Sequence, residues 1–102
     1  MIPVKYGMSF TAKFMNQGSA LVNVYRDGSV LISHGGIEMG QGIHTKIIQI
    51  AARALDIPHD IVKIVESSTA VIPNSMPAVA SMSTDIYGEG GVEREYNRFH
   101  QY

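Results

Sequence analysis

The stretch "SHGGIEMGQGIHTKIIQIAARAL" (residues 33–55) is where the chain passes from strand-like to helix-like periodicity. Four glycines, Gly35, Gly36, Gly40 and Gly42, fall within eight residues of it. After them Ile43, Ile47, Ile50, Ala51, Ala54 and Leu55 recur at helical spacing, with Thr45, Lys46, Gln49 and Arg53 between. That spacing predicts an amphipathic helix over 43–55 with one buried face, packed through Ile47, Ile50 and Ala54. "DIPHD" ends it, because the residue before Pro58 is pushed out of the helical region. A glycine-rich strand-to-helix junction aims unpaired backbone N–H groups outward, where the helix dipole favours negative charge. The same glycines also suit a tight turn with positive φ. "GGIEMGQG" has neither the Gly-Lys-Ser/Thr of a phosphate loop nor a Rossmann fingerprint, so spacing alone favours the turn.

Before this junction, "ALVNVY" and "SVLIS" flank "RDG", and Asp27-Gly28 is a hairpin signal. Residues 4–14, "VKYGMSFTAKF", are β-branched and aromatic enough to predict a further strand, so three antiparallel strands are expected before the helix. After it, "DIVKIVES" predicts a short strand. Pro73 and Pro77 in "STAVIPNSMPAVAS" exclude a regular helix there and predict an extended loop. "SMSTD" holds four N-cap side chains in five residues, placing a second helix start near Thr84 or Asp85. Gly88, Gly90 and Gly91 weaken that helix, although Val92, Tyr96 and Phe99 could line one face farther on. The fold class is α+β: an antiparallel sheet, a central amphipathic helix packed on it, and a second, weaker C-terminal helix.

A chain of 102 residues supports one modest core. With a net charge of −1 and no basic run, it offers no surface for nucleic acid or an anionic membrane. No cysteine is present, which removes disulfides, thiolate metal sites and iron–sulfur ligation from this chain. No stretch has signal-peptide or membrane-spanning character, so a cytoplasmic location is the default expectation.

Few side chains offer chemistry. Ser81, Ser83 and Thr84 present hydroxyl donors at the second helix start, where one of them should act as an ordinary cap. The four histidines, His34, His44, His59 and His100, lack metal-ligand spacing. Glu38 suits loop hydrogen bonding better than acid–base catalysis, and Glu89 is simplest as a solvated side chain.

The long matching segments are "KYGMSFTAKFMNQGSALVNVYRDGSVLISHGGIEMGQGIHTKIIQIAARALDIP" and "PNSMPAVASMSTDIYG". Together they closely resemble the molybdenum-cofactor domain of xanthine dehydrogenases and aldehyde oxidases. The resemblance runs from about Pro3 to Gly88, implying a partial molybdopterin-binding domain over 1–88 and a divergent tail over 89–102. It implies that Met39, Gly40 and Gln41 lie against the pyranopterin of molybdopterin. Ala80 would sit at the molybdenum without coordinating it. Ser81, Ser83 and Thr84 would bond the pterin and its phosphate side, while Phe10 and Thr11 match substrate-pocket positions. The reaction implied is hydroxylation of a carbon next to nitrogen, or of an aldehyde carbon, with oxygen taken from water.

Several family features are missing from these residues: the iron–sulfur and FAD domains, the catalytic glutamate in its Gly-Glu-Pro-Pro setting, the glycine-phenylalanine loop and the substrate-binding arginine. Glu89 in "YGEGG" does not match that glutamate. The expectation is a piece of a molybdenum hydroxylase, inactive alone, whose partner is the remainder of such an enzyme or a full-length one. The competing expectation is a stand-alone, non-catalytic binding module derived from the same domain.

Overall fold

The computed structural model describes residues 1–7, 12–93 and 97. Strand β1 (Ala20–Val24) and strand β2 (Val30–His34) form the hairpin that Asp27-Gly28 signals. The Asp27 carboxylate accepts from the Ser29 N–H (2.9 Å) and hydroxyl (2.6 Å), closing the turn. Helix α1 (Ile43–Leu55) follows with the predicted bounds. A short strand β3 (Val62–Ile64) returns to pair parallel with β2, giving the order β1-β2-β3. Helix α2 (Ser83–Tyr87) continues into a π-helical turn, Gly88–Glu93.

Strand parity decides what is buried. Ala20, Val22, Val30 and Ile32 point to one face of the hairpin, and His34, two residues beyond Ile32, shares that face. Helix α1 covers it with Ile43, Ile47, Ala51 and Ala52, all buried. Ile47 thus packs as the periodicity predicts, whereas Ile50 and Ala54 are only half-buried at the edge of the contact. Val62, Tyr87 and Val92 complete the core.

The expected strand over residues 4–14 is not formed where the chain is described. Residues 1–7 are exposed and irregular, and Lys13–Met15 forms a single 3-10 turn. The sheet's third strand is instead β3, on the other side of β2, so one pair is antiparallel and one parallel. β-Propensity reflects packing on a pleated surface, and without a strand beside it the segment has no such surface.

The glycines of the second helix have a packing role. A Cβ at Gly88 would strike Ile50, and one at Gly91 would lie 2.8 Å from the Ala20 Cβ. The close approach of this turn to α1 and β1 seats Val92 in the core, 1% exposed. Tyr96 and Phe99 lie outside the described residues.

Candidate functional site

The glycine-rich junction folds into a loop whose polar groups satisfy one another. Gly40 and Gly42 have φ of 97° and 83°, and nothing lies within 4 Å of where a Cβ would stand. Their glycine character therefore answers to backbone conformation, not to close contact within this chain. The positive φ values turn the chain so that the Glu38 carboxylate meets three backbone amides. Its Oε1 accepts from the N–H of Gly40 (3.0 Å) and Gly42 (2.9 Å), and its Oε2 from that of His44 (3.1 Å). These bonds, that from Gly42 foremost and then that from His44, hold the Glu38 carboxyl below its usual range.

The expectation of outward-facing, unpaired amides at this helix start is accordingly overturned in part. A carboxylate of the loop itself already occupies them and complements the α1 dipole. Glu38 takes the hydrogen-bonding role expected of it. Gln41 is also folded back: its Oε1 accepts from the Met39 N–H (2.6 Å) and its Nε2 donates to the Ile37 carbonyl (2.7 Å).

The second motif is constructed differently. Ala80 and Ser81 both have φ of 55°, two successive non-glycine residues in the left-handed region. Each such residue costs on the order of 1 kcal/mol or more, sustained by the surrounding structure. Ile72, Met76 and Met82 are buried and pin the loop on either side. Helix α2 begins after Met82 with no side-chain cap. None of Ser81, Ser83 and Thr84 plays the capping role expected of one of them, because the turn at 80–81 leads into the helix through a residue of helical φ.

Both motifs line one cavity of about 310 Å³. Met39 and Gln41 form one wall with Ile43 and Lys46; Ala78, Val79, Ala80, Ser81, Ser83 and Thr84 form the other. Gly40 lies between two lining residues without lining the cavity itself, its amide turned to Glu38. Phe10 and Thr11 lie outside the described residues. Among the described residues neither Asp nor Glu lines the cavity; Ser81, Ser83, Thr84, Gln41 and Lys46 are its polar side chains. That donor-rich set fits a polar, anionic ligand such as molybdopterin.

Sequence reasoning missed two parts of this region. The periodicity places Lys46 on the polar face of α1, yet it stands one turn from Ile43 and lines the cavity with it. The other is a pair of histidines behind the loop. The Gly36 N–H donates to His34 Nδ1 (3.0 Å), so the neutral ring carries its proton on Nε2. That proton points to His44 Nδ1, 2.9 Å away. Burial, with His44 adding to it and Glu38 opposing, lowers the His34 pKa to about 4. Tyr87 stacks obliquely against His34, ring centroids 5.6 Å apart, and donates its hydroxyl to the Met76 carbonyl (3.0 Å). A chain of contacts thus runs from the start of α1 through His44, His34 and Tyr87 to the loop before Ala80.

Comparison with known proteins shows which family this fold belongs to. The molybdopterin cofactor-binding domain family matches residues 1–93. The chain belongs to that family. The molybdopterin-binding domain is 57% identical over 93 residues to xanthine dehydrogenase/oxidase of Rattus norvegicus, covering 91% of the chain and 7% of the relative. It is 58% identical over 88 residues to xanthine dehydrogenase 1 of Arabidopsis thaliana, covering 86% of the chain and 6% of the relative. Its fold is similar to the crystal structure of a Cu,Mo-CO dehydrogenase in a carbon monoxide reduced state. That match has a TM-score of 0.73 and 29% identity, and covers 83% of this chain and 11% of the other. The domain therefore spans about 7% of the length of the curated relatives. It is a molybdopterin-binding domain of the xanthine dehydrogenase-like molybdenum hydroxylases, with the α+β architecture expected of it. Among the described residues no helix is long and apolar enough to cross a membrane.

Proposed function

We propose that this domain forms one wall of the molybdopterin site in a xanthine dehydrogenase-like enzyme, and that turnover requires the rest of that enzyme. The observation that carries this reading is the convergence of Met39 and Gln41 with Ala80, Ser81, Ser83 and Thr84 on one cavity. Bound there, the cofactor supplies the redox chemistry for hydroxylating a carbon next to nitrogen, with xanthine-like purines the substrate class. The domain's own residues bind and orient. Met39, Gly40 and Gln41 present a loop held by its own hydrogen bonds, so little ordering is needed on binding. Ala80 would keep the wall small where the metal is held, and Ser81, Ser83 and Thr84 would offer hydroxyls to the pterin.

Proton removal is assigned to a group outside this domain. Glu38 is engaged by three amides, and Glu89 is exposed and does not line this cavity. A ligand held on one side and wet on the other gains little from a few hydrogen bonds, so the isolated domain should bind weakly. Titration of the purified chain with molybdopterin, followed by pterin fluorescence, should give measurable binding, with no steady turnover of xanthine. Absence of binding would overturn the cofactor assignment; steady turnover by the chain alone would overturn its dependence on the rest of the enzyme.

A further inference from the structure

We propose that His34 and His44 form a clasp that positions the glycine-rich wall of the cavity, and that uptake of a single proton opens it; its consequence for the cofactor rests on the reading above. The clasp ties both ends of the loop. His34 Nδ1 accepts from the Gly36 N–H at the start of the loop (3.0 Å), and His34 Nε2 meets His44 Nδ1, in the first turn of α1, at its end (2.9 Å). Between these ends Glu38 gathers the amides of Gly40, Gly42 and His44, so Met39–Gln41 hang from an anchored arc. The His34 ring is 0% exposed, and water does not take over a bond broken there.

The number of hydrogens makes the clasp acid-sensitive. The gap from the Gly36 nitrogen to His34 Nδ1 holds the amide hydrogen, and the gap from His34 Nε2 to His44 Nδ1 holds the hydrogen of His34. Neutral His44 therefore carries its own on Nε2, and this arrangement alone satisfies both gaps. Every ring nitrogen that could take a further proton faces one of these gaps. A third hydrogen thus sets donor against donor wherever it settles. The groups around His34 do not relieve this. Burial and His44 disfavour the charged ring, Glu38 only partly offsets them, and the pKa falls to about 4. Tyr87, stacked on the ring from α2, is kept protonated by its own burial and donates to the Met76 carbonyl. Ser67, beyond β3, donates to the His34 backbone carbonyl (2.7 Å), and β1 sets Ala20 opposite His34.

Opening returns the ring to its ordinary pKa of 6.5, so acid favours the open clasp. From about pH 7.5 to about pH 5.5 the opening equilibrium should rise about tenfold.

The test uses the full 102-residue chain, isotope-labelled for NMR. Ring nitrogen shifts at neutral pH should place the proton of both histidines on Nε2. Amide exchange at Gly36, corrected for its intrinsic pH dependence, should lose about tenfold protection over that interval, and in His34→Gln the pH dependence should vanish. His44→Leu should lower Gly36 protection at both pH values, and His44→Asn, whose Oδ1 replaces the Nδ1 acceptor, should recover it. A ring that only fills space would not separate Leu from Asn in this order. His44 is half-buried, and retained amide dispersion will show that its variants fold. Molybdopterin is then titrated by fluorescence against the parent and His34→Gln at both pH values, which cancels the ligand's own titration. The parent should lose up to about tenfold more affinity in acid than His34→Gln does. A His34 proton on Nδ1, or Gly36 protection that ignores pH, would overturn the clasp and leave the cofactor reading standing. Equal losses of affinity in the two chains would overturn its effect on binding. Tautomers and exchange as expected, without molybdopterin binding, would uphold the clasp and sink the cofactor reading.

Discussion

The two walls of the cavity reach their shapes by opposite means. The wall around Met39–Gln41 is closed upon itself: glycines take the positive φ angles, Glu38 serves three amides, and Gln41 braces the loop from two sides. The wall around Ala80–Thr84 has non-glycine residues at positive φ and a helix start without a side-chain cap. One wall is preformed by its own hydrogen bonds. The other is held in place by its neighbours, and its hydroxyls cap no helix. The contrast shows that two helix starts in one domain need not be equivalent receptors.

The strongest test of this contrast removes what joins the walls. His34→Ala should cost about 3 kcal/mol in urea denaturation, because it empties a fully buried site and strips partners from the Gly36 amide and His44. Both walls should loosen, visible as faster amide exchange at Gly40 and at Ser83. A loss confined to the first wall would show that the His34–Tyr87 contact does not couple them.

Acid should act through the same residue. His34 has a folded pKa of about 4 against an ordinary 6.5, so between those values the unfolded chain binds the proton that the folded chain refuses. Its contribution is complete above about pH 6.5 and is lost progressively as pH falls to about 4. The loss should be about 2 kcal/mol, less than the full shift implies because His44 brings the pair near solvent. Glu38, with its depressed pKa, adds a loss of the same sign at lower pH. A pH-stability profile of His34→Gln that still falls across this window would reject the assignment.

Glycine and alanine should have opposite effects on the two walls. Gly40→Ala forces a side chain onto a φ of 97° and should destabilise by about 1 kcal/mol, whereas Ala80→Gly relieves a φ of 55° and should stabilise by about 0.5 kcal/mol. Thermal melts of the two variants with the same sign would end the claim that the walls differ in strain. The smallest effect is expected from Ser83→Ala. A capping serine costs about 1 kcal/mol when removed, but this one caps nothing, so the change should stay within about 0.5 kcal/mol.

Much of the fold was legible before any coordinates. The 43–55 helix was bounded correctly because its apolar period and Pro58 are local signals, and the hairpin because Asp27-Gly28 specifies its own turn. The described residues of 4–14 form no strand, because strand propensity is expressed only where a neighbouring strand exists. At the site, "EMGQG" and "ASMST" were recognisable as motifs, and Glu38 as a loop-bonding side chain. Lys46 was not, since a lysine on a helix is ordinarily a solvated residue.

By itself, then, the sequence determined the local elements, the two motifs and the family to which they belong, all properties of residues near one another along the chain. Only the tertiary structure decided which groups answer which. Strand parity and the cover of α1 bury His34 beside His44, positive φ at Gly40 and Gly42 bring Glu38 onto three amides, and the packing of Tyr87 carries Ala80–Thr84 across to Lys46. The Glu38 and His44 contacts are local but follow from backbone turns, and the Tyr87–His34 contact joins segments far apart along the chain. A pattern of residue types holds no information about which of two satisfied arrangements the packed chain will make.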